Sequence, residues 1–256
     1  MKNIIKAQFY GLRNERLIAI MFFGLLAALT INGFCGVGNG EALSAGETAA
    51  FLLVFEAQLA SMFIFMVTGI MCCSDFKDRT ANYELMTGHT RKEVYFGRII
   101  PCIVVGAVGW TLLLCIPYTV ITVLRGWGTE VSLGSMLLRF FLMYFPVVRI
   151  ICEFIMISFI LRNQYIVMAI GYMMFCIGGL TSMMSGIGSY LLGITNITLL
   201  SYIDVWGTFG LSGSMNYVYE TAVAPEEIVG TIVFSVIFSV ISLYTGYHFF
   251  KTDDIN

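Results

Sequence analysis

Six long apolar runs, joined by short polar segments, constrain this chain more than any other feature. A helix needs about 20 largely apolar residues to cross the hydrocarbon core of a bilayer. The first, third and sixth runs contain no Asp, Glu, Lys or Arg. The runs cover residues 17–34, 51–73, 99–124, 140–161, 164–184 and 228–250. The sequence therefore predicts an all-α integral membrane protein with six transmembrane helices.

Composition agrees with a lipid-embedded chain. Only 12% of the 256 residues are charged and 58% are hydrophobic, whereas soluble domains carry about 25% charged residues. So few charges cannot cover a water-exposed surface of this size, which argues against a soluble protein. The seven cysteines form no Cys-x-x-Cys pair, and we expect them to act as small buried hydrophobes.

The distribution of Lys and Arg predicts the orientation. With six spans both termini lie on one face, and that face carries 11 Lys and Arg residues against two on the other. Cytosolic loops are enriched in these residues, so both termini and the segment 74–98 are predicted to be cytosolic. We expect a multi-pass protein of a bacterial cell membrane, with residues 1–256 forming a single permease domain.

Two further segments have their own predicted structure. In residues 1–16, Ile5, Phe9 and Leu12 share one stripe, which predicts a helix lying on the inner membrane surface near anionic lipid. A solvated basic tail is the alternative. Between the last two runs, residues 186–227 are partly apolar but interrupted by Gly, Ser and Thr. This pattern predicts short re-entrant helices on the outer side, before the last span.

The segment 74–98 holds nine of the 30 charged side chains. Phe76, Thr80 and Tyr83 fall on one helical face. Gly88 then ends the helix, and the capping-box pattern from Thr90 to Glu93 begins the next one. Basic residues in such a loop can serve topology alone. A surface of both signs around aromatic residues instead favours a protein contact.

The segment also carries a family resemblance. The pattern Asp75…Thr80…Glu84-Leu85-Met86…Gly88-x-Thr90-Arg91…Tyr95-Phe96-x-Arg98 resembles the first cytosolic loop of type-two ATP-binding-cassette (ABC) permeases. Small bacitracin- and lantibiotic-exporter permeases are the most similar in layout. The sequence departs from the pattern at Arg79, where Gly is common, and at Thr90, which replaces Ser.

The resemblance implies a cytosolic coupling helix that sits in a cleft of a separate ABC ATPase subunit. It also implies a second permease chain, identical or different, and an exporter that moves a peptide or an amphipathic, lipid-like substrate, as in antimicrobial peptide export or resistance. The coupling residues it implies are Asp75, Phe76, Arg79, Thr80, Tyr83, Glu84 and Arg91.

The chain lacks the phosphate-binding motif Gly-x-x-x-x-Gly-Lys-Ser/Thr. We therefore expect no cofactor on this chain, with ATP and Mg on the partner ATPase. No metal site or catalytic residue is predicted, because the sequence contains only two histidines and no nucleophile motif. We expect a transport subunit rather than an enzyme, and no nucleic-acid partner.

Three ionisable residues fall within the apolar runs. Glu56 lies near the outer end of the second run, and Arg149 and Glu153 lie four apart in the fourth. A charge at the bilayer centre costs about 2.5–3.5 kcal/mol on insertion scales, and pairing across one helical turn lowers that cost. The Arg149–Glu153 pair either lines the transport route or the dimer seam, or it fixes helix packing.

Two other function classes stay open. A secondary transporter would carry internal repeats and ion sites near the membrane midplane, and the first three runs show no convincing repeat in the last three. A membrane scaffold or signalling protein without enzymatic activity is the other alternative. Association with an ATPase would separate both from the exporter hypothesis.

Overall fold

The protein is helical throughout most of the chain that the structure describes. This computed structural model describes residues 2–35, 37–38, 41–42, 44–77, 86, 88–129, 133–183, 211–212, 216–217 and 225–252. Those residues contain seven helices: α1 Lys2–Asn14, α2 Arg16–Cys35, α3 Ala45–Lys77, α4 Arg91–Arg125, α5 Leu133–Leu161, α6 Gln164–Met183 and α7 Pro225–Thr252. The all-α prediction is confirmed for them.

Two very short antiparallel pairs of strands accompany the helices. Strand β1 (Val37–Gly38) pairs with β2 (Glu41–Ala42), and β3 (Leu211–Ser212) pairs with β4 (Asn216–Tyr217). The β3–β4 pair and the first residues of α7 are the described parts of the region predicted to contain re-entrant helices. The rest of that prediction lies outside the described residues.

Four of the described helices are long and apolar enough to cross a membrane. These candidate spans are Arg16–Cys35, Arg91–Arg125, Phe140–Leu161 and Ile228–Thr252. In the other two predicted spans, the described residues form the shorter apolar helices Leu59–Cys73 and Gln164–Met174. The chain therefore has the helices of a membrane protein.

Helix α3 lies at the centre of the bundle and packs against α2, α4, α5 and α6, while α7 packs chiefly against α5. Glycines allow the closest approaches. A Cβ at Gly109 of α4 would overlap the ring of Phe63, and a Cβ at Gly171 of α6 would overlap the ring of Phe65. Because both rings belong to α3, the buried core follows this helix.

Helix α1 confirms the predicted N-terminal helix but not its full stripe. Ile4 is 4% exposed and packs against Gly97 of α4, where a Cβ would lie 2.9 Å from Ile4 Cγ2. Leu12 also packs on the core, but Phe9 is 42% exposed. The face of α1 that contacts the bundle therefore begins at Ile4, one residue earlier than predicted. The reason is that α4 packs against Ile4.

One predicted helix end needs correction, because helix α3 continues to Lys77, past the predicted end of the second span at 73. Helix α4 begins at Arg91, where the capping-box pattern predicts, and runs without a break into the third apolar run at 99. The 35 residues of α4 span about 52 Å, more than the roughly 30 Å hydrocarbon core. The change from apolar to charged sequence marks a change of solvent and not the end of a helix.

Candidate functional site

The predicted coupling residues lie around the connection between α3 and α4. Asp75 and Phe76 lie in the last turn of α3, where the structure describes the backbone. Arg91 is the first residue of α4. Arg79, Thr80, Tyr83 and Glu84, together with the predicted coupling helix, lie outside the described residues. We call residues 78–90 the connecting segment.

The connecting segment ends in the predicted glycine and capping box. Gly88 has φ +91, in the left-handed region that glycine adopts readily. The Glu93 backbone N–H donates to Thr90 Oγ1 at 3.3 Å, and the Thr90 backbone N–H donates to Glu93 Oε2 at 3.1 Å. The bond from the Thr90 backbone lowers the pKa of the Glu93 carboxyl. The capping box is confirmed, and α4 therefore starts at a fixed residue. That Gly88 ends a preceding helix stays a prediction.

Arg91 contacts the last helix of the chain. Its Nη1 donates to the carbonyl oxygen of Lys251 at 2.6 Å and to that of Phe250 at 3.4 Å. The last carbonyls of a helix have no partner within the helix, and a cation near them also interacts favourably with the helix dipole. Arg91 therefore caps the C-terminus of α7.

Tyr95, one turn after Arg91, reinforces this contact. Its hydroxyl donates to the Leu243 carbonyl at 2.7 Å. Its fully buried ring lies with centroids 4.8 Å from Phe159, 5.4 Å from Tyr247 and 5.9 Å from Phe250. The start of α4 is thus joined to the ends of α5 and α7.

We call Arg91, Tyr95, Phe159, Tyr247 and Phe250 the α4–α7 junction. A Cβ at Gly246 would lie 2.7 Å from the Tyr95 hydroxyl, so α7 needs a very small residue there. The sequence motif contained Arg91 and Tyr95 but gave no sign of their contacts with α7. The only local signal was their spacing of four, which places both on one face of a helix.

The predicted ion pair in α5 is present. Arg149 Nε lies 3.3 Å from Glu153 Oε1, and both side chains are buried. Removing two charges from water costs several kcal/mol per ion, and the mutual attraction offsets part of this cost. The pair lies on α5, and whether it lines a transport route or dimer seam or fixes helix packing stays a prediction.

Glu56 lies in a different environment. Its side chain is 1% exposed, and its polar neighbours are Asn32 of α2 and Tyr118 of α4. Glu56 Oε1, Asn32 Nδ2 and the Tyr118 hydroxyl are buried and form no hydrogen bond within the described part of the chain. We call these three residues the Glu56 cluster. The sequence identified Glu56 but not its two neighbours.

Known proteins do not place this chain in a family: no family model matches it, and no curated protein matches it. The described residues also contain no group of three or more His, Cys, Asp or Glu side chains that could hold a metal ion. A functional assignment therefore depends on the α4–α7 junction, the connecting segment and the buried ionisable groups.

Proposed function

We propose that this chain is the permease subunit of an ABC exporter, driven by ATP that a separate ATPase subunit hydrolyses. In this proposal the chain crosses the membrane six times, with both termini and the connecting segment in the cytosol. The four long apolar helices support a membrane location. Helices α3 and α6 supply the remaining two spans.

One observation carries the proposal. The connecting segment is 13 residues long and lies between two helices of 33 and 35 residues. It contains the charged and aromatic residues that resemble a coupling loop. Because a helix is stiff, displacement of this segment would move α3 and α4 along their whole length. Binding to a motor protein would therefore act directly on the membrane helices.

The packing of the helices would carry a movement of α3 and α4 to the rest of the bundle. Helix α3 contacts four other helices, and the α4–α7 junction ties the start of α4 to the end of the last helix. Closure of two ATPases, with ATP and Mg bound to them, would push on Phe76 and Tyr83. A second permease chain, identical or different, would complete the translocation path.

A groove between α4 and α5 supports an amphipathic or lipid-like cargo. The groove encloses about 360 Å³ and is lined mainly by apolar side chains, including Leu114, Leu137 and Phe140. Two threonines also line it, but their hydroxyls donate to backbone carbonyls of their own helix. A surface of this kind favours the apolar part of a peptide or lipid-like molecule.

The test is co-purification with a co-expressed ABC ATPase subunit. We expect Tyr83→Ala, Glu84→Ala and Arg79→Glu to insert normally and to retain much less ATPase. Glu130→Ala, on the predicted opposite face, is the matched control and should retain the wild-type amount. Wild-type retention by all three connecting-segment variants would refute the docking proposal.

A secondary transporter is the second candidate, and Glu56 is the observation that favours it. A buried acid beside other polar groups is typical of ion and proton sites in such proteins. The purified chain in vesicles would then move its substrate along an ion gradient without any ATPase. Gradient-driven transport by the chain alone would favour this candidate over the exporter.

A further inference from the structure

Glu56 lies far from the connecting segment. It is 11 residues after Ala45 and 21 residues before Lys77 in α3, or about 16 Å and 31 Å along the helix. Its neighbours come from two other helices, α2 and α4. Gly33 brings α2 close, since a Cβ there would lie only 3.8 Å from Glu56 Oε1.

No cation neutralises Glu56 in the described part of the chain. There, no Lys, Arg or His nitrogen lies within 4.0 Å of its carboxylate oxygens. Tyr118 is the titratable group facing it from α4, and Asn32 is the polar group facing it from α2. Arg125, two turns beyond Tyr118, donates to the Phe34 carbonyl at 2.9 Å and lies over the Phe34 ring.

The burial of Glu56, together with the lack of a cation beside it in the described part of the chain, indicates the state of the acid. An ionised carboxylate is a strong acceptor, and both the Tyr118 hydroxyl and Asn32 Nδ2 are donors beside it. A charged Glu56 would draw these donors into short, charge-assisted hydrogen bonds. Neither donor forms a hydrogen bond in the described structure. A buried acid without a cation takes up a proton instead of keeping its charge.

We propose that Glu56 is a proton-binding site, held as a neutral carboxylic acid at pH 7 within the Glu56 cluster. Release of the proton to water leaves a carboxylate, and the Tyr118 hydroxyl and Asn32 Nδ2 then turn to donate to it. These two bonds pull α2 and α4 toward α3. The ligand is a proton, and the inference does not depend on the exporter proposal.

Glu153 provides a matched control within the same chain. It is also a buried glutamate on an apolar helix, but Arg149 lies 3.3 Å away. An adjacent guanidinium stabilises the ionised form of a carboxyl group. The Arg149 guanidinium therefore offers the Glu153 carboxylate a stabilising charge that Glu56 lacks in the described part of the chain.

The test is labelling by dicyclohexylcarbodiimide, an apolar reagent that reacts with protonated carboxyl groups, on the full chain in phospholipid vesicles at pH 7. Peptide mass spectrometry should find the label on Glu56. The label on Glu56 should decrease as the pH rises. Tyr118→Phe should extend labelling to higher pH, because it removes a donor to the carboxylate.

Infrared spectroscopy tests the same claim without depending on access of the reagent. The C=O stretching band of a protonated carboxylic acid should be present at pH 7, should disappear in Glu56→Gln and should persist in Glu153→Gln. If Glu56→Gln leaves the infrared spectrum unchanged, Glu56 is ionised and the proposal is wrong.

Discussion

Two positions in α4, one at its start and one at Tyr118, are held in opposite ways. At its start, Arg91 and Tyr95 donate hydrogen bonds to carbonyls of α7, and aromatic rings enclose them. Near its other end, the Tyr118 hydroxyl is buried beside Glu56 without a hydrogen bond in the described structure. The start of α4 is therefore fixed to its neighbours, whereas the position of Tyr118 retains polar groups that can still form bonds. Beyond Tyr118, Arg125 again holds α4 through the Phe34 carbonyl.

In the exporter proposal, this difference would affect how α4 transmits movement. The fixed contacts at its start would carry a displacement of the connecting segment into α4 and α7 together. In the Glu56 proposal, the unformed contacts around Tyr118 would allow α2, α3 and α4 to take up a second arrangement when a proton leaves.

The largest expected effect on stability comes from removing the cation beside Glu153, which leaves this buried acid unpaired. Arg149→Ala should destabilise the protein by about 3–5 kcal/mol, because it leaves a buried acid without its cation. Arg149→Ala combined with Glu153→Ala should cost less. Thermal unfolding in detergent checks both variants, and equal midpoints for the single and double variants would refute the pairing.

A matched pair of Tyr→Phe variants compares the two positions in α4 directly. Tyr95→Phe should cost about 1 kcal/mol at pH 7, because it removes a formed hydrogen bond. Tyr118→Phe should not lower stability, because the buried Tyr118 hydroxyl forms no hydrogen bond in the described structure and an unsatisfied buried donor is itself destabilising. Unfolding midpoints measure both effects. A larger loss for Tyr118→Phe would reverse our comparison.

Arg91→Ala tests the contact with α7. We expect a loss of about 1 kcal/mol, since the bond is charge-assisted but partly exposed to solvent. Hydrogen exchange should increase locally in residues 247–252, and Arg91→Lys should restore part of the protection. Unchanged exchange at the end of α7 in Arg91→Ala would show that the contact does not hold that helix.

The smallest expected effect is on the capping box at the fixed end. The folded state lowers the pKa of Glu93 below its usual value of 4.5. Its contribution to stability is therefore complete above pH 4.5 and is lost as the pH falls through the folded-state pKa. Hydrogen exchange of the first turn of α4 should increase in that range. Thr90→Ala should remove this pH dependence.

Contacts within one helical turn could be predicted from the sequence. Thr90 and Glu93 are three apart, and Arg149 and Glu153 are four apart, so their spacing alone places them side by side. Both contacts are present in the structure. The six apolar runs likewise gave the approximate positions of helices α2 to α7, because hydrophobic length is a local property of the chain.

Contacts between distant segments could not be predicted in this way. Arg91 and Lys251 are 160 residues apart, and the Glu56 cluster joins three helices. Such contacts depend on which helix faces pack together. The sequence shows which face of a helix is apolar, but it does not show which other helix packs against that face. The same limit explains the shifted contact face of α1. The roles of Arg79, Thr80, Tyr83 and Glu84 remain predictions.

The most direct measurement is photo-crosslinking from position 83 in native membranes, with a benzoylphenylalanine in place of Tyr83. Mass spectrometry should identify an ABC ATPase subunit joined to this position. The same probe at Tyr244, an exposed residue in α7, should capture no ATPase. If position 83 captures no ABC ATPase, the connecting segment is not a docking site and the exporter proposal is wrong.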